Sequence, residues 1–159
     1  MTTLRHRQQG VTLIESMIAI LIFSMGILAL VGMYSSAVSR TTDSQYRIEA
    51  ANHANRVLGQ IWANVDRSTA ANLTASLNTF QHNPGGANCA FSGAAATAPE
   101  VTAWASAITA AGTGLPGASA TTNQILVDTA TFNRVTVTIC WRAPGDTYAH
   151  RHVVVANIN

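Results

Sequence analysis

Charged residues are scarce in this chain of 159 residues, and lysine is absent from it. Charged residues make up 10% of the sequence, against about a quarter in an ordinary soluble domain, whereas hydrophobic residues make up 48%. Disordered chains are charge-rich and poor in apolar residues, so disorder does not explain this composition. The net charge of +2, with no basic cluster beyond the N-terminus, argues against direct nucleic-acid binding. The composition indicates a membrane segment joined to a globule rich in small residues.

Sequence motifs for catalysis and cofactor binding are also missing. The chain has no glycine-rich phosphate loop, no short motif of paired carboxylates and no nucleophile elbow. His150 and His152 could share a strand face, but two imidazoles without a cysteine or carboxylate at matching spacing do not make a zinc site. A solvated strand edge is the expectation for both histidines. We therefore expect no enzyme, no catalytic residue, no cofactor and no metal site.

One long uncharged run lies near the N-terminus. It covers residues 16–39, 24 in all, and follows a polar, basic start that contains Arg5 and Arg7. A helix of that length measures about 36 Å, enough to cross a hydrocarbon core of about 30 Å. Only Arg40 follows the run closely, so the positive-inside rule places the N-terminus in the cytoplasm and the bulk of the chain outside it.

A secretory signal peptide is the competing interpretation of this run. Ala37-Val38-Ser39 would then supply the small-residue cleavage site. Signal peptides have an apolar stretch of about 7–15 residues, and the run here is longer and has Glu15 at its start. The pattern therefore favours a segment that stays in the membrane.

The string Gly10-Val11-Thr12-Leu13-Ile14-Glu15 stands between the basic start and the uncharged run. It resembles the prepilin processing motif of type IV pilins and type II secretion pseudopilins, which a dedicated peptidase cuts after the glycine. The resemblance implies cleavage between Gly10 and Val11, N-methylation of Val11, and an assembly role for Glu15. A buried amine and a buried carboxylate are each costly alone and tolerable as a pair. Glu15 of one subunit would therefore pair with Val11 of its neighbour.

The resemblance and the periodicity together divide the chain into three parts. We predict a leader over residues 1–10, a long helix over 11–65 whose first part (11–38) spans the membrane and enters assembly, and a globular head over 66–159. In the second half of the helix, apolar residues recur at spacings of three and four. This predicted core stripe comprises Ile48, Ala51, Ala54, Leu58, Ile61, Trp62 and Val65.

The apolar half of the helix lacks the proline that many major pilins carry there. Gly26 and Gly32 lie in that region instead. Glycine weakens a helix by about 1 kcal/mol relative to alanine, which would permit local unwinding in a filament. Small residues also permit close helix–helix approach in lipid, and the sequence leaves both interpretations open. The missing proline argues against a major subunit.

The head is predicted to combine two short helices with an antiparallel sheet of about three or four strands. Leu73, Leu77 and Phe80 are spaced like a helix that ends in a turn over 82–86. A second helix opens at Pro99 and has an apolar face made of Val101, Trp104, Ala105, Ile108 and Ala111. The predicted strands are 124–128, 132–141 and 152–158, the last without a decided register. The expected fold class is α+β, type IV pilin-like, with the long N-terminal helix packed on the sheet.

The chain has two cysteines, Cys89 and Cys140. Outside the cytoplasm an even pair indicates a disulfide, with two free thiols as the alternative. Cys140 alternates with the Val/Ile row of its strand, so the loop that carries Cys89 should cross the opposite face of the sheet.

The resemblance implies a minor type IV pilin that enters the pilus at an initiation or tip complex and supports biogenesis, twitching motility and adhesion. The C-terminal half also resembles minor pilins of the PilV class, in Trp104, Leu115-Pro116-Gly117 and the strand that ends in Cys140-Trp141. Implied partners are prepilin peptidase, other minor and major pilins and the inner-membrane assembly platform, and they could include a tip adhesin. The protein would reside in the inner membrane with a periplasmic head, then at the pilus or cell surface. A minor pseudopilin of type II secretion is one alternative, and a membrane-anchored periplasmic binding module that never polymerises is another.

Overall fold

The computed structural model of the protein describes residues 11–159, which fall into two compact units that divide between Thr42 and Asp43. The first helix contributes to both units. The elements in chain order are α1 (Val11–Asn64), α2 (Ala70–Thr79), β1 (Gly85–Ala87), β2 (Ala90–Ser92), α3 (Pro99–Thr109), β3 (Asn123–Asp128), β4 (Arg134–Trp141) and β5 (His150–Asn157). A long N-terminal helix, short helices and small antiparallel sheets confirm the predicted α+β fold.

The part of α1 in the second unit turns one apolar row toward the head core. The buried members of the row are Ala50, Ala54, Val57, Leu58 and Ile61. Steps of three and four residues keep these side chains on one helix face. Val65, just beyond the helix, continues the row.

Three members of the predicted stripe lie outside this row, so the prediction was wrong there: Ala51 is half-buried, and Ile48 and Trp62 are exposed. Ile48 is 62% exposed and Trp62 is 46% exposed. At about 100° per residue, Ile48 points nearly opposite to Ala50, two positions further on. The Trp62 ring instead lies under the guanidinium of Arg67, whose central carbon is 4.9 Å from the ring centre.

The two short helices form where local signals predict them. The Thr69 hydroxyl accepts a hydrogen bond from the Asn72 amide at 3.1 Å and caps α2. Pro99 opens α3, where the missing N–H is tolerated. The predicted face of α3 is buried at Val101, Trp104 and Ile108. Ala111, also placed on that face, is exposed because the helix ends at Thr109.

Three antiparallel strands form the main sheet in the order β3-β4-β5. Val137 and Ile139 of β4 are fully buried on the face that packs in the core. Val137 pairs with Val154, which fixes the register of β5 that the sequence pattern left undecided. Val154 therefore shares the core face, and Val153 and Val155 lie exposed on the other face.

The strand bounds differ from the predictions at their ends. Phe132 and Asn133, predicted as the start of β4, have φ of 51° and 49°, so they form a turn and the strand begins at Arg134. β3 begins one residue earlier than predicted, at Asn123, and β5 runs from His150 to Asn157 rather than over 152–158.

A hairpin of β1 and β2 replaces the turn predicted over residues 82–86. Gly85 and Gly86 belong to β1 and pair with β2 across a two-residue turn, Asn88-Cys89. Both turn residues have positive φ, 53° and 65°, which is the backbone of a type I′ turn. Cysteine is not a usual residue at the second turn position, so the sequence signal for this hairpin is weak.

Candidate functional site

The first unit consists of the apolar half of α1. Every large apolar side chain from Val11 to Val38 is exposed, and the most apolar stretch has no buried residue. Within residues 11–159, α1 is the one helix long and apolar enough to cross a membrane. The helix continues through Gly26 and Gly32, and no other group lies within 4 Å of where a Cβ would stand at either position.

Four hydroxyl groups in this unit have hydrogen-bond acceptors within the helix. Ser16 and Ser24 donate to the carbonyl oxygens four residues earlier at 2.8 and 2.7 Å. Thr41 and Thr42 do the same at 3.0 and 2.9 Å. An unpaired donor in hydrocarbon is costly, so these bonds let an apolar helix carry hydroxyls through a membrane.

The predicted processing site lies at the beginning of α1. Val11 is the first residue of the helix, whereas Gly10 lies outside the described residues. Glu15 is exposed one turn further along and is the only charged side chain between Val11 and Ser39. The rise from Val11 to Glu15 is about 6 Å, so pairing them between neighbouring helices would offset two subunits by about one turn. Cleavage, methylation and the assembly role stay predictions.

A disulfide joins Cys89 to Cys140, with 5.7 Å between their Cα atoms, and confirms the predicted bond. Cys140 is fully buried on the β4 face opposite to Val137 and Ile139, and Cys89 lies in the β1–β2 turn. The hairpin is therefore tied to the sheet face that does not carry the Val/Ile row. The Phe91 amide supports the same placement by donating to the Thr121 carbonyl at 2.8 Å.

Comparison with known protein families matches this N-terminal region. A family model described as the prokaryotic N-terminal methylation motif covers residues 5–31, which include Gly10, Val11, Glu15 and the first half of the apolar run. This match supports a type IV pilin-like protein. No curated protein and no solved structure matches it.

The match supports a protein of the pilin and pseudopilin class and implies processing by prepilin peptidase and pilin-type assembly partners in general. Together with the long apolar helix, it fits anchoring in a membrane. The matched residues end at 31, before the head begins, so the resemblance of the C-terminal half to PilV-class minor pilins stays a prediction.

The head of this pilin-like protein has a polar cluster around His150. Its Nε2 lies 2.7 Å from Asp146 Oδ2 and 3.9 Å from Asp43 Oδ1. Arg47 Nη2 lies 3.3 Å from His150 Nδ1, and Arg47 Nε donates to Asp43 Oδ2 at 2.9 Å. The imidazole stacks on Trp141 with 5.6 Å between ring centres. His150 therefore links the first head turn of α1 to the β4–β5 connection, and the predicted solvated edge is wrong for this residue.

These contacts place the His150 ring between two partners, because its Nε2 faces the Asp146 carboxylate and its Nδ1 faces the Arg47 guanidinium. The hydrogen bond from Arg47 holds the pKa of Asp43 below its ordinary value, and the positive charges of Arg47 and His150 act in the same direction while desolvation opposes them. Asp43 is therefore ionised at neutral pH. The Asp43/Arg47 spacing of four residues was the one sequence signal for this cluster.

A cleft of about 480 Å³ lies between α1 and the loop that follows α3. Its only ionisable lining residues are Tyr46 and Glu49, and the rest of the lining comes from residues 109–118. Within the part of the chain that the structure describes, no group of three or more His, Cys, Asp or Glu could hold a metal ion.

Proposed function

We propose that this protein is a minor type IV pilin that joins the initiation or tip complex of a pilus and supports biogenesis, twitching motility and adhesion. The observation that carries the proposal is the methylation motif on a helix whose large apolar side chains all stay exposed from Val11 to Val38. An exposed apolar surface of this size is expected to contact lipid or other apolar helices. The protein acts by assembly rather than by catalysis.

The proposed mechanism begins when leader removal frees the amine of Val11. The apolar half of α1 then moves from lipid into a bundle of pilin helices, where Glu15 pairs with the Val11 amine of a neighbour. In the head segment of α1, Ile48 offers a further apolar contact on the side away from the core row, because 62% of it is exposed.

The proposed partners are the other minor pilins, the major pilin and the inner-membrane assembly platform, and they could include a tip adhesin. The N-terminus lies in the cytoplasm and the head in the periplasm before assembly. The disulfide supports this placement because such bonds persist in oxidising compartments. After assembly the head belongs to the pilus at the cell surface.

Deletion of the gene and complementation with variants tests this proposal. Deletion is expected to reduce surface pili and twitching, and the wild-type gene should restore both. Glu15→Ala should fail to restore them, because the Val11 amine would lose its carboxylate partner in the helix bundle. Ser16→Ala is the matched control, since it changes the adjacent exposed residue without removing a charge.

Measurement of the intact mass distinguishes a defect in processing from a defect in assembly. Each variant extracted from membranes should have the mass of residues 11–159 plus one methyl group, less two hydrogens for the disulfide. Normal piliation in the deletion strain with a block in protein secretion would overturn the pilus role in favour of a pseudopilin. Full restoration by Glu15→Ala would overturn polymerisation and leave an anchored binding module.

A further inference from the structure

β5 runs alongside the head segment of α1 and in the same direction. At the start of the strand, His150 Nδ1 lies 3.3 Å from Arg47 Nη2. Just beyond its end, the Asn159 carbonyl accepts a hydrogen bond at 2.9 Å from Nε of Arg67, which follows the end of α1. The β4–β5 connection (residues 142–149) therefore lies at the end of the head where α1 enters it.

The chain itself holds this end of the head near a membrane that α1 spans. Asp43 Oδ1 lies 3.9 Å from His150 Nε2, and Asp43 follows Ser39, the last residue of the uncharged run, by four positions. Four residues span at most about 14 Å even when they are fully extended. The β4–β5 connection, which ends at His150, therefore stays near the lipid headgroups whatever the orientation of the head.

The side chains of the β4–β5 connection suit a lipid surface. Tyr148 is 81% exposed, and a tyrosine ring with its hydroxyl favours the interface between membrane and water. Arg142 and Arg151 are both exposed, and anionic headgroups attract guanidinium groups. Asp146 is the only carboxylate between these two arginines, and it lies 2.7 Å from His150 Nε2. The exposed charge here is therefore mainly basic.

The opposite end of the sheet also carries an exposed aromatic side chain. Phe132, in the turn between β3 and β4, is 79% exposed. The neighbouring Asn133 carbonyl accepts a hydrogen bond at 3.1 Å from the Ile158 amide, so this turn lies at the end of β5 away from His150. β4 has eight residues, which separates the two ends by about 23 Å. Proximity to the entry of α1 thus distinguishes Tyr148 from Phe132.

We propose that the β4–β5 connection docks on the surface of the membrane from which α1 emerges, with the Tyr148 ring among the headgroups and Arg142 and Arg151 facing anionic lipids. A lipid surface is the occupant because anchoring by α1 brings it to this end of the head in every molecule. Docking limits the tilting of the head before assembly. The proposal rests on the membrane helix and does not depend on whether the protein serves a pilus or a secretion system.

Fluorescence quenching of the full chain in vesicles tests the docking. One variant carries a fluorescent label on Thr147→Cys, next to Tyr148. Its matched control carries the label on Thr131→Cys, next to Phe132, and both threonines are exposed. The two native cysteines are joined in the disulfide, so the label reacts with the introduced thiol alone. Peptide mass mapping verifies that the disulfide stays intact in each variant.

The vesicles contain an anionic phospholipid and a lipid with a nitroxide quencher just below its headgroup, and the protein is kept at low density to prevent contacts between copies. Docking predicts that the lipid quencher acts several-fold more strongly on the label at 147 than on the label at 131. Acrylamide in the water should quench the label at 147 several-fold less, because an undocked head near the membrane would not be shielded from it. Vesicles of zwitterionic lipid alone should weaken both differences.

Substitutions then distinguish contact from position. Tyr148→Ser should lower the lipid quenching of the label at 147 several-fold, whereas Phe132→Ser, at a similarly exposed aromatic residue, should leave it unchanged. Arg142→Gln combined with Arg151→Gln should lower it in anionic vesicles to the value in zwitterionic ones.

Flotation with the vesicles separates docking from anchoring. A chain that floats but shows equal lipid quenching at 147 and 131, equal access of acrylamide to both labels, or no effect of Tyr148→Ser would overturn the docking and leave the anchor intact. A chain that does not float would overturn the anchoring on which the proposal rests. Neither result bears on piliation, which the gene deletion measures separately.

Discussion

Loss of the disulfide is expected to destabilise the head by roughly 4 kcal/mol. Cys89 and Cys140 are 51 residues apart, and for that loop length the chain-entropy relation gives about 4 kcal/mol at 25 °C. The head unit comprises residues 43–159, or 117 residues, for which the entropy of unfolding is about 0.25 kcal/mol/K near 60 °C. Dividing the two values predicts that reduction lowers the Tm of the head by roughly 15 °C.

Tryptophan fluorescence of the full chain in detergent can measure this shift. Trp62, Trp104 and Trp141 all lie in the head unit, so the signal does not depend on the membrane helix. Thermal unfolding is compared for the oxidised protein and for the protein kept reduced. A fall in Tm of less than about 4 °C, equivalent to about 1 kcal/mol, would refute the loop-entropy argument.

Two double variants distinguish the contribution of the disulfide to stability from that of the backbone conformation at Cys89. Cys140→Ala is combined either with Cys89→Ala or with Cys89→Gly, so that both proteins lack the bond. Cys89 has φ of 65°, where alanine is disfavoured by about 1–2 kcal/mol and glycine is not. The glycine variant should therefore unfold about 4–8 °C above the alanine variant. Equal Tm values would show that the hairpin turn is lost together with the bond.

Two further predictions concern the head core. Ile61→Ala should lower the free energy of unfolding by about 2–5 kcal/mol because Ile61 is fully buried. Ile48→Ala should change it by less than about 0.5 kcal/mol because Ile48 is exposed. Equal effects of the two substitutions in denaturant titrations would contradict the observed choice of the buried face of α1. Burial lowers the pKa of His82, so below about pH 6.5 the folded state binds fewer protons than the unfolded state. The free energy of unfolding is therefore highest above about pH 6.5 and falls as the pH decreases through that value. His82→Gln should remove this loss, and parallel Tm curves for both proteins from about pH 7.5 to about pH 5 would refute it.

The helices and strands that local patterns define could be predicted from the sequence. The face of α1 that is buried in the head core could not. The uncharged run predicts a long helix, and the period-two alternation at Val135–Trp141 predicts a strand. In the second half of α1, apolar residues occur on several faces, and the predicted stripe followed the large side chains of Ile48 and Trp62. The core row instead includes Ala50 and Val57, which the predicted stripe left out.

The polar cluster around His150 could not be predicted because its contacts are distant in sequence. Arg47 and His150 are 103 residues apart, and no local pattern encodes their proximity. The register of β5 had to be fixed first, since it places His150 opposite Trp141 at the end of the sheet. A shift of one residue would have moved the imidazole to the other face and away from α1.

One half of α1 is exposed and apolar, and the other half packs in the head core, so the two halves can respond differently when the apolar half moves from a membrane into a helix bundle. The head has its own core and a disulfide, so it can stay folded while the surroundings of the apolar half change. Lipid tails and apolar side chains are similarly apolar, so a move from membrane to helix bundle has no hydrophobic driving force of its own. The preference must then come from packing and polar contacts, and Glu15 is the one charge in that half of the helix. Its removal should therefore affect assembly far more than it affects the stability of the head.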